Sequence, residues 1–351
     1  MSRVSGKRSR GLLGVFLILF ALGGLAWGLG RENLTKIFHS MVSARTELLL
    51  LAIGLYFFEV VFWACRWKIA LRTTGYDISL GSLYIVSHAG MFFTNITPIS
   101  KAGGEPFRAY FVNKRYGVPY SAGFASIIGE GILSIPPYLV LLLAGLALKM
   151  GTSSLFVTIG ILGTVTCFFG GLIFLGYRFV AKNMGRGLIL RIIQRLRKGD
   201  NKLEIARSLE RFYGNARIVL RDRKRAFLIS VMSFLLYLVN ICRVWLILLA
   251  LGVHSSFLAP LLAVTVPVIA GIVPLLPGGL VAVEATMTAI LVWCGLPLPL
   301  ALSATLIERG ISYMLATIVG ALAAFYLGLK KASVSFDKLE SDFHRAQQHP
   351  G

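Results

Sequence analysis

The chain is short of acidic residues and of charge altogether. Asp and Glu number 15 against 36 Lys and Arg, and only 15% of its 351 residues are charged, where soluble domains carry roughly 25%. Aspartate occurs at positions 77, 200, 222, 337 and 342 alone, so no D-x-D pair exists. No phosphate-binding glycine loop, HExxH or GxSxG occurs either. Nucleotide hydrolysis, zinc peptidase and serine hydrolase chemistry therefore have no motif here, and the chain reads as a non-enzyme. Its four cysteines (Cys65, Cys167, Cys242, Cys294) lie in apolar segments without a CxxC, so no zinc site or disulfide framework is implied. The five histidines are scattered, and His88 alone abuts a break in an apolar run; it reads as a satisfied interior histidine. No metal or other cofactor is implied.

What the chain has is hydrocarbon. Apolar residues make up 56% of it and the mean hydropathy is +0.76, in runs long enough to cross a bilayer. No ten-residue stretch alternates as a membrane barrel strand does. The expectation is an all-α polytopic membrane protein. The net charge of +21 would suggest nucleic acid in a soluble protein. Here the basic residues cluster between apolar runs, which points instead to anionic headgroups and cytoplasmic loops.

Taken in order, Arg3, Lys7, Arg8 and Arg10 precede a first span over 11–29, with a cytoplasmic N-terminus and no A-x-A cleavage site. Spans follow at 48–71, 120–148 (interrupted and kinked at Pro136-Pro137), 155–177, 226–251 and 300–329. Between them, 80–97 enters and leaves on the cytoplasmic side, and 258–293, free of Lys and Arg, enters and leaves on the outside. The expected architecture is about six full spans plus two re-entrant broken-helix hairpins. It forms one transmembrane domain (1–351) in the cell membrane, plasma or inner, with a polar cytoplasmic tail at 332–351. Residues 178–225 hold fifteen Lys or Arg against four Asp or Glu, a net of +11. Within them Ile189, Ile192, Ile193 and Leu196 share one face. This basic connector either lies on an anionic leaflet as an amphipathic helix or simply joins two spans.

The halves echo each other. Cys65-Arg66 and Gly75 recur 177 residues later as Cys242-Arg243 and Gly252; Gly117-Val118-Pro119 and Glu130 recur 178 later as Gly295-Leu296-Pro297 and Glu308. Repeats over 47–150 and 226–329 are expected, and the charge rule gives them opposite orientations. Inverted repeats with broken helices meeting at the midplane are the plan of alternating-access transporters.

Both breaks carry charge. In ITPISKAGGEPFR the prolines and the Gly103-Gly104 pair prevent a clean helix, and Lys101, Glu105 and Arg108 sit beside it; IVPLLPGGLVAVEA has Gly278-Gly279 and Glu284. Candidate substrate-binding residues are Lys101, Gly103, Gly104, Glu105, Arg108, Glu130, Arg243, Gly278, Gly279, Glu284, Glu308 and Arg309. Arginine suits a phosphate through two parallel hydrogen bonds. Glu105 is expected to pair with Lys101 or Arg108, and Glu308 with Arg309 or Arg243. Glu59 and Arg66, two turns apart on one face, point at the same interior region. For Arg66 and Arg243, helix-end anchoring and ligand contact both remain open. So does a purely structural clasp for Glu130, Glu284 and Glu308.

At GGEPFRAYFVNKRYGVP and PGGLVAVEATMTAIL…GLPLPLALSATLIERGISY the chain resembles the lysylphosphatidylglycerol synthase transmembrane-region family, flippase-like integral membrane proteins of the UPF0104 type. The resemblance covers about residues 10 to 330. It implies movement of lipids between leaflets: an anionic phospholipid or a polyprenyl-type lipid. Family members commonly carry Glu-Arg where this chain has Glu130-Gly131. The fused synthase of some relatives is missing after Lys331, so aminoacyl transfer is not expected. The expected function is a lipid translocase; the alternative is a non-transporting membrane partner of a lipid-modifying enzyme.

Overall fold

The computed structural model describes residues 32–97, 103–151, 202–271 and 279–328, and all regular structure among them is helical. The spans expected at 11–29 and 155–177, the elbow residues Lys101, Pro277 and Gly278, the 189–197 amphipathic stretch and the tail lie outside the described residues. Helix α1 covers 32–42. It is followed by α2 (Thr46–Thr73), α3 (Leu80–Ile96), α4 (Glu105–Tyr116), α5 (Tyr120–Lys149), α6 (Lys202–Arg221) and α7 (Arg223–Ala250). The described chain ends with α8 (Leu258–Ala270), α9 (Ala282–Trp293) and α10 (Leu298–Gly328), the last with a π-helical stretch at Gly310–Leu315.

Among the described residues four helices, α2, α5, α7 and α10, are long and apolar enough to cross a membrane. Helix α5 runs unbroken through Pro136 and Pro137, against the expected interruption. A proline at 137 withdraws the donor for the Leu133 carbonyl, and Ser230 of α7 supplies a replacement from its hydroxyl at 3.0 Å. Small residues let the spans approach: Ala52, Ala64, Ala70, Ala125, Ala301 and Ala304 are fully buried, as expected where packing rather than hydrophobicity joins helices in lipid.

The shorter helices form two hairpins, α3–α4 and α8–α9. In the first, glycine makes the approach possible. A Cβ on Gly104 would stand 2.2 Å from the Gly90 carbonyl oxygen, and one on Gly90 would stand 2.6 Å from Cγ of Arg108. With both absent, the Phe93 and Phe107 rings stack at 3.6 Å. In the second hairpin, α9 starts from Val281 at φ 71°, ψ −50°, a strained γ-turn conformation that a β-branched residue seldom adopts.

Helix order recurs along the chain. Helices α2 and α7 are both 28 residues long and begin 177 apart; α4 and α9 are both 12 residues long and begin 177 apart; α3 and α8, and α5 and α10, begin 178 apart. Before α5 and α10 the same entry recurs, with Gly117 and Gly295 at positive φ and Pro119 and Pro297 as caps. Helices α2 and α7 pack antiparallel along their length. The Arg45 amide donates to the Ala250 carbonyl at 2.9 Å, Asn240 Nδ2 to Glu59 at 3.2 Å, Arg66 to Ser233 Oγ at 3.3 Å, and Arg225 to the Arg72 carbonyl at 3.2 Å. One apolar cluster gathers round Tyr56 and Val60 with α7 to α10, and another round Trp67 and Leu71 with α3 to α5. The described part of the basic connector, α6, is docked rather than loose: Val219 is fully buried against Ala70 and Ile229, under Gly129.

The hairpin geometry sets a test. Gly104→Ala forces backbone apart and should lower stability by about 1–3 kcal/mol. Gly81→Ala, in a helix with nothing near its Cβ, should leave it unchanged or slightly raised. Thermal unfolding of the detergent-solubilised protein decides; equal midpoints would refute the close contact.

Candidate functional site

Two arginines at corresponding positions organise the interior. Arg66, late in α2, donates from Nε to Glu130 Oε2 of α5 at 3.2 Å and from Nη1 to Ser233 Oγ. Arg243, late in α7, grips Glu308 of α10 with two bonds, Nε to Oε2 at 3.1 Å and Nη2 to Oε1 at 2.7 Å. The sequence echo of Arg66 with Arg243 and of Glu130 with Glu308 is thus a pair of equivalent ion pairs, each tying two spans together.

Additional charges dress each pair differently. On the first, Arg108 of α4 reaches Glu130 Oε1 at 2.8 Å and Glu105 Oε2 at 2.8 Å. Its guanidinium lies over the rings of Trp63 and Trp67, 4.7 and 4.1 Å from their centroids, a cation–π seat that suits a buried cation. On the second, Glu59 of α2 accepts from Arg243 Nη1 and from Asn240. Arg309 does not pair with its neighbour Glu308. It reaches back to Glu284 of α9 at 2.6 Å, because adjacent residues on a helix point about 100° apart.

A cavity of about 440 Å³ opens between these groups. Glu59, Arg66, Glu105, Arg243, Glu308 and Arg309 line it, with Asn95 and Thr94 from the first hairpin and Pro267, Val283 and Met287 from the second. Both hairpins therefore face one space. Arg108 and Glu130 stand behind the wall; Gly103, Gly104 and Gly279 are buried in the elbows, where they allow tight turning. Lys101 and Gly278 lie outside the described residues. No group of His, Cys, Asp and Glu suited to a metal ion occurs among the described residues.

Glu59 and Arg66, which the sequence places on one inward face without including them among the candidate binding residues, both line the cavity. Sequence reading missed Asn95, which donates to the Tyr313 carbonyl and to Thr317 and so fastens the first hairpin to α10. It also missed Asn240, whose spacing of three from Arg243 was the available signal. His88 is buried, with Nδ1 3.2 Å from the Tyr56 hydroxyl.

The sequence model of the lysylphosphatidylglycerol synthase TM region matches residues 11–320. The chain belongs to that family. Its relatives in the family include UPF0104 membrane proteins from Methanothermobacter thermautotrophicus (28% identical, covering 93% of this chain and 99% of the relative) and Methanocaldococcus jannaschii (24%, 92% and 96%). Another is that of Pyrococcus horikoshii (26%, 89% and 94%). No solved structure matches. Every ion pair described above, from Glu59 to Arg309, falls within the family's matched span, and the chain is a membrane protein with several apolar helices.

The buried pairs predict a non-additive response. Arg243→Met strands Glu59 and Glu308 and should cost about 3–5 kcal/mol, with much of that recovered when Glu308→Gln is added. A double-mutant cycle by thermal or denaturant unfolding measures it; additive losses would show that the pair is not coupled.

Proposed function

We propose that this protein is a lipid translocase, moving a phospholipid or lipid-linked intermediate between leaflets by alternating access. The observation that carries the reading is one cavity walled by both hairpins and by six charged side chains from α2, α4, α7 and α10. A polar headgroup crossing hydrocarbon needs such a seat, because an isolated charge at bilayer depth costs roughly 2.5–3.5 kcal/mol even on insertion scales.

The antiparallel packing of α2 against α7 supports an inverted repeat. If the two halves are related by an axis in the membrane plane, their corresponding helices run in opposite directions. The hairpins are then re-entrant, one dipping from each face, and the cell membrane holds the chain with both termini in the cytoplasm. No nucleotide-binding motif is present in the sequence, so transport runs downhill or on an ion gradient. The carboxylates and arginines balance one another while no headgroup is bound, and an anionic phospholipid or polyprenyl-type phosphate is the substrate class they accommodate.

The test is leaflet exchange of fluorescent phospholipid in proteoliposomes. Glu105→Gln, half-exposed to the cavity and outside the fully buried core, should slow exchange on the order of tenfold with the unfolding midpoint retained. Wild-type exchange no faster than that of protein-free vesicles would sink the reading.

A further inference from the structure

The two halves provide a control for each other. Arg66 has one carboxylate of its own span pair, Glu130, and its Nη1 is satisfied by the neutral hydroxyl of Ser233. Arg243 at the corresponding position has Glu308, held by two bonds, and then a second carboxylate, Glu59, on Nη1. One carboxylate is enough to neutralise a buried arginine, so Glu59 is surplus to that need. Its counterpart 177 residues on is Leu236, so the surplus exists in one half alone. Glu59 lines the cavity.

We propose that Glu59 is an exchangeable stand-in for a phosphate on Arg243, leaving that seat by taking up a proton when a phosphate group enters the cavity. The inference rests on the translocase reading for the phosphate being a lipid's; the proton step stands on the triad itself. The exchange balances. The Nη1–H of Arg243 breaks its bond to the Glu59 carboxylate and forms one to a phosphate oxygen. The freed carboxylate binds a proton from water. One negative charge enters with the phosphate and one positive charge with the proton, so the charge of the site does not change and the two cross together. Glu308 keeps its two hydrogen bonds from Arg243 and holds the guanidinium in place.

The groups facing Glu59 allow this and little else. From α2 come Tyr56 and Arg66; from α7, Tyr237, Asn240 and Arg243; from α10, Glu308 and Arg309; from α4, Glu105. Arg66 is occupied by Glu130, Arg309 by Glu284 of α9, and Glu105 by Arg108. The walls given by α3 and α8 at the cavity carry no ionisable side chain among the described residues. Asn240 bonds Glu59 Oε1 at 3.2 Å, and a protonated carboxyl keeps that bond because its carbonyl oxygen still accepts.

The experiment uses the purified full chain in detergent, in weak buffer with a soluble pH dye, at several pH values from roughly 6 to 9, all above the ordinary range of a carboxylate. Adding short-chain phosphatidylglycerol should alkalinise the medium by about one proton per bound lipid. Glu59→Gln should abolish the uptake, and Glu59→Asp should restore it. No uptake in the wild type, or equal uptake in Glu59→Gln, overturns the proposal. Glycerophosphoglycerol, the same phosphodiester headgroup without acyl chains and without an ionisation of its own in this range, is added as a second arm and should give none; uptake with it and not with lipid would overturn the lipid as its source. Proton uptake without leaflet exchange in proteoliposomes would remove the translocase reading and leave the proton seat standing.

Discussion

Arginine inside a membrane bundle must meet a carboxylate, and in this protein that requirement fixes nearly everything else. Arg66, Arg108 and Arg243 are buried, and each is bonded to glutamate. The arrangement is not a source of net stability, since well-packed apolar side chains often do as well. What it supplies is register. Glu130 can serve Arg66 and Arg108 together only if α2, α4 and α5 sit at one height relative to one another. Glu308 and Glu59 impose the same condition on α10, α2 and α7. A slip of one residue along any of these helices would leave a charge in hydrocarbon.

That register brings unlike elements to one place. The first hairpin is closed on itself by stacked Phe93 and Phe107, and tied to the bundle by Arg108, by the Trp63 and Trp67 rings, and by Asn95 to α10. Among the described residues the second is held by Glu284 to Arg309, Thr288 to Thr305 at 3.0 Å, and the Thr265 carbonyl to Tyr138. The halves share a plan and differ in which groups fasten each hairpin to it.

Much of this was legible from residues. Spans at 48–71, 120–148, 226–251 and 300–329 could be read because hydrocarbon length and apolar composition determine them. The Arg66/Arg243 and Glu130/Glu308 echoes were visible as spacing, and they mark the ion pairs. Partner choice was not legible. That Arg309 turns to Glu284 and not Glu308, or that Glu59 crosses to Arg243, depends on how α9 and α2 rotate against their neighbours, and no local pattern encodes that rotation. The Pro136-Pro137 pair misled for the same reason: the hydroxyl that accommodates it belongs to Ser230, nearly a hundred residues away. Gly103 and Gly104 are legible as helix breakers, but the close contact of Gly104 with Gly90 depends on a residue of the opposite arm.

The two elbows are also unequal in the energy they hold. Helix α4 begins from Gly104 in ordinary helical geometry, while α9 begins from a valine folded into a left-handed bend. A backbone so placed lies on the order of 1–3 kcal/mol above its relaxed form. Any rearrangement that lets residue 281 straighten recovers that amount, equivalent to a bias of roughly five- to 150-fold between two states. Two elbows built on one plan thereby differ in stored backbone strain, and the difference lies at a single valine.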